Sequence, residues 1–399
     1  MSEGLFAIIS ITTLVSILQI CVNAEFNVID FGASGNGITD DSWAFLKTWN
    51  ATCNAPGISW MIIPKGKTFF LNPVTFNGPC KANNISVMLQ GTIIAPDGPK
   101  NWKASDLSTW LHFKNIASLT VRGPGLIDGR GKGWWDVSCR YHPGKGCLTL
   151  MPTVVRFQDC EQLNMDYINI VNSPQTHIHL LGCRNSALQF LNLHSPESSP
   201  NTDGIHISSS HDITIRSSII GSGDDCISIG DAISNITILD ISCGPGHGIS
   251  IGSLGRGGSV VNVEGITVRR ANFSGTTNGV RIKTWQEGRG NVRDVHFSDL
   301  TFKAVEHPII IDQHYGDDLL PLDKQTGVHI SNVSYYSVRG TTKTAAAINF
   351  NCSSNVACTN LMLDTIQLES SVRGQHLSSF CNNAHGIAKG IVNPKSCLT

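Results

Sequence analysis

Helical periodicity is almost missing from this 399-residue chain. Apolar residues seldom recur at intervals of three and four, so an α-solenoid or an alternating βαβ fold is not expected. Charge is scarce as well: 15% of residues are Asp, Glu, Lys or Arg, with 29 cations against 30 anions. Such a balance gives no electrostatic basis for binding nucleic acid or an anionic membrane, and any acidic substrate must be held by local cations. None of the thirteen cysteines forms a C-x-x-C pair, the spacing that structural zinc would use. Low-complexity tracts and Pro/Ser-rich linkers are also lacking. A chain of this length ordinarily divides into two or three domains, but with no linker one elongated domain is expected.

One apolar run is present. Phe6 to Ile20 carries no charge and is followed by Val22-Asn23-Ala24 and the polar Glu25. This predicts a secretory signal peptide over residues 1–24 and a mature, secreted domain over 25–399. The run falls short of the roughly 20 apolar residues of a membrane span, so no membrane association is expected of the mature form. Cleavage removes Cys21 and leaves twelve cysteines, an even number that suggests disulfides in an oxidising compartment. Close spacing makes Cys139/Cys147, Cys226/Cys243, Cys352/Cys358 and Cys381/Cys397 plausible local bridges. Six N-x-S/T sequons, at Asn50, Asn84, Asn235, Asn272, Asn332 and Asn351, fit the surface of a secreted glycoprotein.

What fills the chain is a repeat. The triplets V-R-F at Val155, I-H-L at Ile178, I-H-I at Ile205, I-S-I at Ile227, I-S-I at Ile249, V-R-I at Val280 and I-I-I at Ile309 recur at intervals of 22 to 31 residues. A second series, I-T-I at Ile213, I-T-I at Ile236 and I-T-V at Ile266, keeps step with them. Units of this length made only of short strands and Gly, Asn and Ser turns predict an all-β, right-handed parallel β-helix. A sandwich or propeller would also space its strands evenly, but it would not hold one register coil after coil. The N-terminal edge needs a cover. Thr39-Asp40-Asp41 followed by S-W-A-F-L-K-T-W predicts a short capping helix, with Trp43, Phe45 and Trp49 in the core.

The register gathers distant residues. Asp203, Asp225 and His247 each stand two residues before an apolar triplet and 22 residues apart, so they form one column at about 4.8 Å per coil. Asp224 lies beside its middle. In V-R-I-K the apolar Val280 and Ile282 face the core, which turns Arg281 and Lys283 outward one coil further on. Strict alternation from Ile227 would turn Asp225 inward, so a bend is expected at Gly204, Gly223 and Gly248. Paired carboxylates suit glycoside hydrolysis, one as proton donor and another acting on water or on the sugar. The repulsion of adjacent Asp224 and Asp225 is expected to keep Asp224 protonated, giving a mildly acidic optimum. The two cations suit a sugar that is itself an acid.

At these residues the sequence resembles the polygalacturonases, pectin-hydrolysing enzymes of glycoside hydrolase family 28. The four signatures are S-P-N-T-D-G from Ser199, G-D-D-C from Gly223, G-H-G from Gly246 and R-I-K from Arg281, and the opening F-N-V-I-D-F-G-A-S-G-N-G-I-T-D-D is similar too. The resemblance implies Asp224 as general acid, Asp203 and Asp225 as the carboxylates that activate water, and His247 as support for the acid. It implies Asn201 as a subsite residue, Arg281 and Lys283 as the clamp on the uronate carboxylate, and Tyr315 as a substrate contact. Plant members commonly read N-Y-C at that tyrosine, whereas here His314 and Gly316 flank it. It also supports the Cys226 to Cys243 pair, a polygalacturonate or pectin substrate in the cell wall, no cofactor or metal, and a monomer. Inversion is implied, although a one-coil step of about 4.8 Å is nearer the carboxylate spacing of retaining enzymes. Endo and exo cleavage both remain open at this point. So do two rival functions, a calcium-dependent pectate lyase and a non-catalytic pectin-binding wall protein.

Overall fold

The computed structural model describes residues 23–316 and 325–399. Most of the expected signal segment therefore lies outside the described residues. The seven apolar triplets of the sequence stand directly opposite one another: Val155 pairs with Ile178, Ile178 with Ile205, and so on through Ile227, Ile249, Val280 and Ile309. They belong to one parallel sheet of eleven strands stacked in chain order, from Val74–Asn77 to Ser378–Asn382. Ile213, Ile236 and Ile266 align in the same way in a second, larger parallel sheet. The two sheets wind into the right-handed parallel β-helix that the repeat predicts.

Stacking buries the isoleucine columns completely. Ile178, Ile205 and Ile227 expose none of their surface. Each such side chain stabilises the stack by about 2 kcal/mol. The coils turn where short polar residues accept a left-handed backbone: Asp212, Asn235, Asp294, Asn332 and Asn360 all have φ between 53° and 57°. Their side chains then bond from coil to coil, Asn235 to Asp212, Asn332 to Asp294 and Asn360 to Asn332.

The capping helix α1 spans Ser42–Asn54. The Asp40 carboxylate accepts the Ser42 N–H at 3.1 Å, while Asp41 turns back to accept the N–H groups of Ser34 and Gly35. Phe45 packs on Phe69 and Trp49 on Phe76 and Phe113, so α1 closes the apolar end of the coil stack. Trp43, expected in the core, is instead 67% exposed, with Lys47 over its ring. Residues 43 and 45 are about 200° apart around a helix, and the core takes Phe45.

All four bridges suggested by spacing are formed, and Cys53–Cys80 adds a fifth that ties α1 to its neighbouring coil. The even count did not mean full pairing. Cys160 and Cys183 are unpaired and buried in adjacent coils, each thiol facing a backbone carbonyl, of Phe113 and Phe157 respectively.

Candidate active site

The column of Asp203, Asp225 and His247 forms because three strands begin two residues after them, at Ile205, Ile227 and Ile249. The ladder continues back across the gap: Gly204 N–H donates to the Asp225 carbonyl at 2.9 Å and Cys226 N–H to the Gly248 carbonyl at 2.8 Å. The expected bend is made by glycines. A Cβ on Gly223 would lie 1.9 Å from the Ser199 carbonyl oxygen, and Gly248 has φ +83° with the Asn278 oxygen 2.2 Å from its missing Cβ. The carboxylates thereby leave the core. All eight residues singled out in the sequence line one cavity of about 350 Å³.

Asp225 is 1% exposed and wholly engaged. Its Oδ1 accepts from Arg281 at 2.9 Å and from the Ser250 hydroxyl at 2.7 Å, and its Oδ2 accepts from Lys283 at 2.9 Å. Arg281 also donates Nε–H to Ser250 at 3.0 Å. The two cations of R-I-K, expected as a clamp on the substrate, are thus fixed on Asp225 in the free protein. Lys283 in addition lies 5.4 Å from the centre of the Tyr315 ring, which packs edge-on to Trp285. The departure from N-Y-C has a steric reason at Gly316. Its φ is +79° and a Cβ there would sit 2.4 Å from the Trp285 ring.

Asp224 is surrounded by donors. His247 Nδ1 lies 3.0 Å from its Oδ1, the Asp225 N–H donates to the same oxygen at 2.9 Å, and the Asn201 amide donates to Oδ2 at 3.1 Å. Burial works to raise its pKa, but the His247 bond and charge, with Lys283 and Arg281 nearby, outweigh burial and bring it down to about 2. This corrects the electrostatic expectation. Repulsion from Asp225 does not keep Asp224 protonated, because the His247 bond and charge, with Lys283 and Arg281, favour its ionised form.

The carboxyl whose proton affinity is raised is instead Asp203. Burial first, then the charges of Asp224 and Asp225, push that carboxyl well above the usual range. Its Oδ2 accepts from Ser228 at 2.6 Å, and Ser228 in turn bonds His206 Nδ1 at 2.7 Å. Burial holds His206 down to about 4, so the ring is neutral and donates its Nδ1–H to the serine. His177, fully buried and also held down to about 4 by burial, donates from both its backbone and Nδ1 to the Asp203 carbonyl. Sequence reasoning missed these positioning residues. A signal was present for two of them: His206 and Ser228 are middle letters of consecutive triplets, in line across the sheet with Ser250 and the already expected Arg281.

Asp224, Asp225 and His247 bring ligand atoms within 4.8 Å of one another, a spacing that could suit a metal ion. Both Asp225 oxygens already face fixed cations, however, and a divalent ion would have to displace them.

The family model for glycosyl hydrolases family 28 matches residues 53–397. The chain belongs to that family. It is 42% identical over 374 residues to a probable polygalacturonase of Arabidopsis thaliana, covering 94% of this chain and 84% of that protein. It is 42% identical over 371 residues to a polygalacturonase of Malus domestica, covering 92% and 78%. Among solved structures, an exopolygalacturonase of Thermotoga maritima superposes with a TM-score of 0.73 at 22% identity, over 92% of both chains. An endo-xylogalacturonan hydrolase of Aspergillus tubingensis gives 0.77 at 22% identity, over 92% of this chain and all of that one. At such identity these two share the fold. The protein is a glycoside hydrolase of family 28, and the cavity around Asp224 is its candidate catalytic centre.

Proposed function

We propose that this glycoside hydrolase is a polygalacturonase, cleaving α-1,4-galacturonosyl linkages of polygalacturonate with inversion at the anomeric carbon. The observation that carries the reading is the meeting of three carboxylates and His247 with two cations in one cavity. Asp224 is the general acid. Its proton is held with His247 at the 3.0 Å bond and moves onto Asp224 as an anionic sugar enters and raises the carboxyl's proton affinity. Asp224 then gives that proton to the glycosidic oxygen as the C1–O bond breaks.

Water attacks C1 from the other face and loses its proton to Asp203 in its ionised, carboxylate form, which leaves that step as a neutral carboxyl. Asp225 orients that water. It is a poor nucleophile itself, because both its oxygens are tied to cations and a serine. That favours the water route, and hence inversion, over a covalent intermediate. The uronate carboxylate is held on the exposed side of Arg281 and by Lys283 and Tyr315.

We place the action outside the cell, on pectin of the cell wall, by a monomer formed after removal of residues 1–24. Five disulfides suit an oxidising compartment. Four of the sequon asparagines, Asn50, Asn84, Asn235 and Asn272, are exposed. Release of reducing ends from polygalacturonate, compared between the wild type and Asp224→Asn, tests the reading. The variant is expected to lose activity by roughly 10²–10⁴-fold. Equal release by both would remove Asp224 as the acid, and an unsaturated, ultraviolet-absorbing product lost on chelation would turn the enzyme into a lyase.

A further inference from the structure

Arg281 and Lys283 share a single acidic partner, Asp225. With Asp203 and Asp224 beside them, the cavity holds two paired cations against three carboxylates. Both cations are thus already engaged, and an anionic polymer gains most from a further cation that is not. One further cation lines the same cavity. It is Arg140, whose exposed side chain has no acidic partner among the described residues.

Arg140 belongs to neither sheet. It sits on a loop closed by the Cys139–Cys147 disulfide and pinned by backbone bonds from Cys139 to Leu148, Leu148 to Val137 and His142 to Ser138. The Arg140 N–H is itself bonded to Ser138 Oγ at 3.3 Å. A guanidinium on so constrained a base loses less freedom on gripping a ligand. The next two residues, Tyr141 and His142, line a separate groove of about 720 Å³, whose other wall includes Pro196, Ser198 and Pro200. Pro200 precedes Asn201, which bonds Asp224. The groove and the catalytic cavity are thus lined by neighbours in the chain on two segments, Arg140 with Tyr141 and Asn201 with Pro200, and Arg140 stands on the side of the cavity next to the groove.

We infer that Arg140 is a specificity-determining residue: it takes the carboxylate of the uronate on the groove side of Asp224, next to the one held at Arg281 and Lys283. The enzyme then demands two consecutive free carboxylates. Methyl esterification of the groove-side uronate removes the anion that the guanidinium grips bidentately. This inference rests on the polygalacturonase reading and adds a residue and a substrate pattern to it.

The test compares wild type, Arg140→Gln and Arg140→Lys, as full secreted chains, on polygalacturonate and on highly methyl-esterified pectin. Loss of a charge-assisted contact is expected to raise KM for polygalacturonate roughly tenfold or more in Arg140→Gln, with kcat within about twofold. Arg140→Lys is expected to recover most of that loss, and the salt dependence of KM is expected to flatten in Arg140→Gln. On esterified pectin the wild type and Arg140→Gln converge. An unchanged KM on polygalacturonate, or an equal penalty on both substrates, overturns the assignment while leaving the hydrolase intact. A wild type that releases no reducing ends from either substrate overturns the functional reading and this inference together.

Discussion

His247 Nδ1 lies 3.0 Å from Asp224 Oδ1, while the adjacent carboxylate, Asp225, makes its ionic contacts to Arg281 and Lys283. Two neighbours in sequence thus have different direct side-chain partners, although Arg281 and Lys283 also act on Asp224 from nearby. One is bonded to an imidazole, and the other is held between a guanidinium and an ammonium group.

That separation predicts the behaviour of His247→Gln. The variant keeps a polar side chain beside Asp224 but cannot store a proton. We expect kcat to fall roughly 100-fold and the alkaline limb of the pH–rate profile to move to lower pH, because a carboxyl alone yields its proton earlier than a carboxyl–imidazole pair. The profile of kcat/KM against pH is the measurement. A loss of activity at every pH with the limb unmoved would give His247 a merely structural part.

Asp203 carries a conformational cost. Its carboxyl is held well above the usual range by burial and by Asp224 and Asp225. Below the unfolded value of about 3.9 both states are protonated and nothing is lost. As pH rises above it, the unfolded chain ionises while the folded one resists, so the stability contributed by the protonated form declines until the folded pKa is passed. Asp203→Asn keeps an acceptor for Ser228 and removes this dependence. It is expected to abolish activity yet melt above the wild type at neutral pH, with the gap closing as pH falls toward about 3.9. Thermal unfolding across pH decides it, and a variant that melts lower at neutral pH would count against the argument.

Lys283 is 7% exposed and paired with an Asp225 that is itself buried. Lys283→Met leaves Arg281 alone against that carboxylate. Breaking one side of a buried pair costs about 3 kcal/mol. The double variant Lys283→Met with Asp225→Asn is expected to lose less than the sum of the two single losses, since the Lys283–Asp225 bond can be broken only once, although Arg281 is then left without its acidic partner. Chemical unfolding of the two single variants and the double variant measures the coupling, and simple additivity would refute it.

The register of the coils was legible because one short pattern recurs: the alignment of seven triplets is the pairing that the sheet adopts. It brought Asp203, Asp225 and His247 together without any knowledge of side-chain direction. The partners of those groups were less legible. Outward-facing alternation says that Arg281 and Lys283 leave the core, but it does not say that both reach two coils back to Asp225. Proton placement was misjudged for the same reason, since the repulsion between Asp224 and Asp225 is outweighed by His247, Lys283 and Arg281, whose side-chain positions the register does not give. Arg140 carries no periodic signal, being held by a disulfide-closed loop outside the repeat. Trp43 was assigned to the core by composition when its angle around α1 pointed it to water.

The stacked coil separates two kinds of heritable change. Distances among Asp203, Asp225 and His247 are set by a backbone ladder whose Gly223 and Gly248 tolerate no side chain. The loop bearing Arg140 hangs outside that ladder on its own covalent hinge. Lengthening, shortening or recharging it would retune which polymer is accepted without moving the acid and base. A lineage can therefore explore new pectins through residues 139–147 while its chemistry stays fixed by the coils beneath.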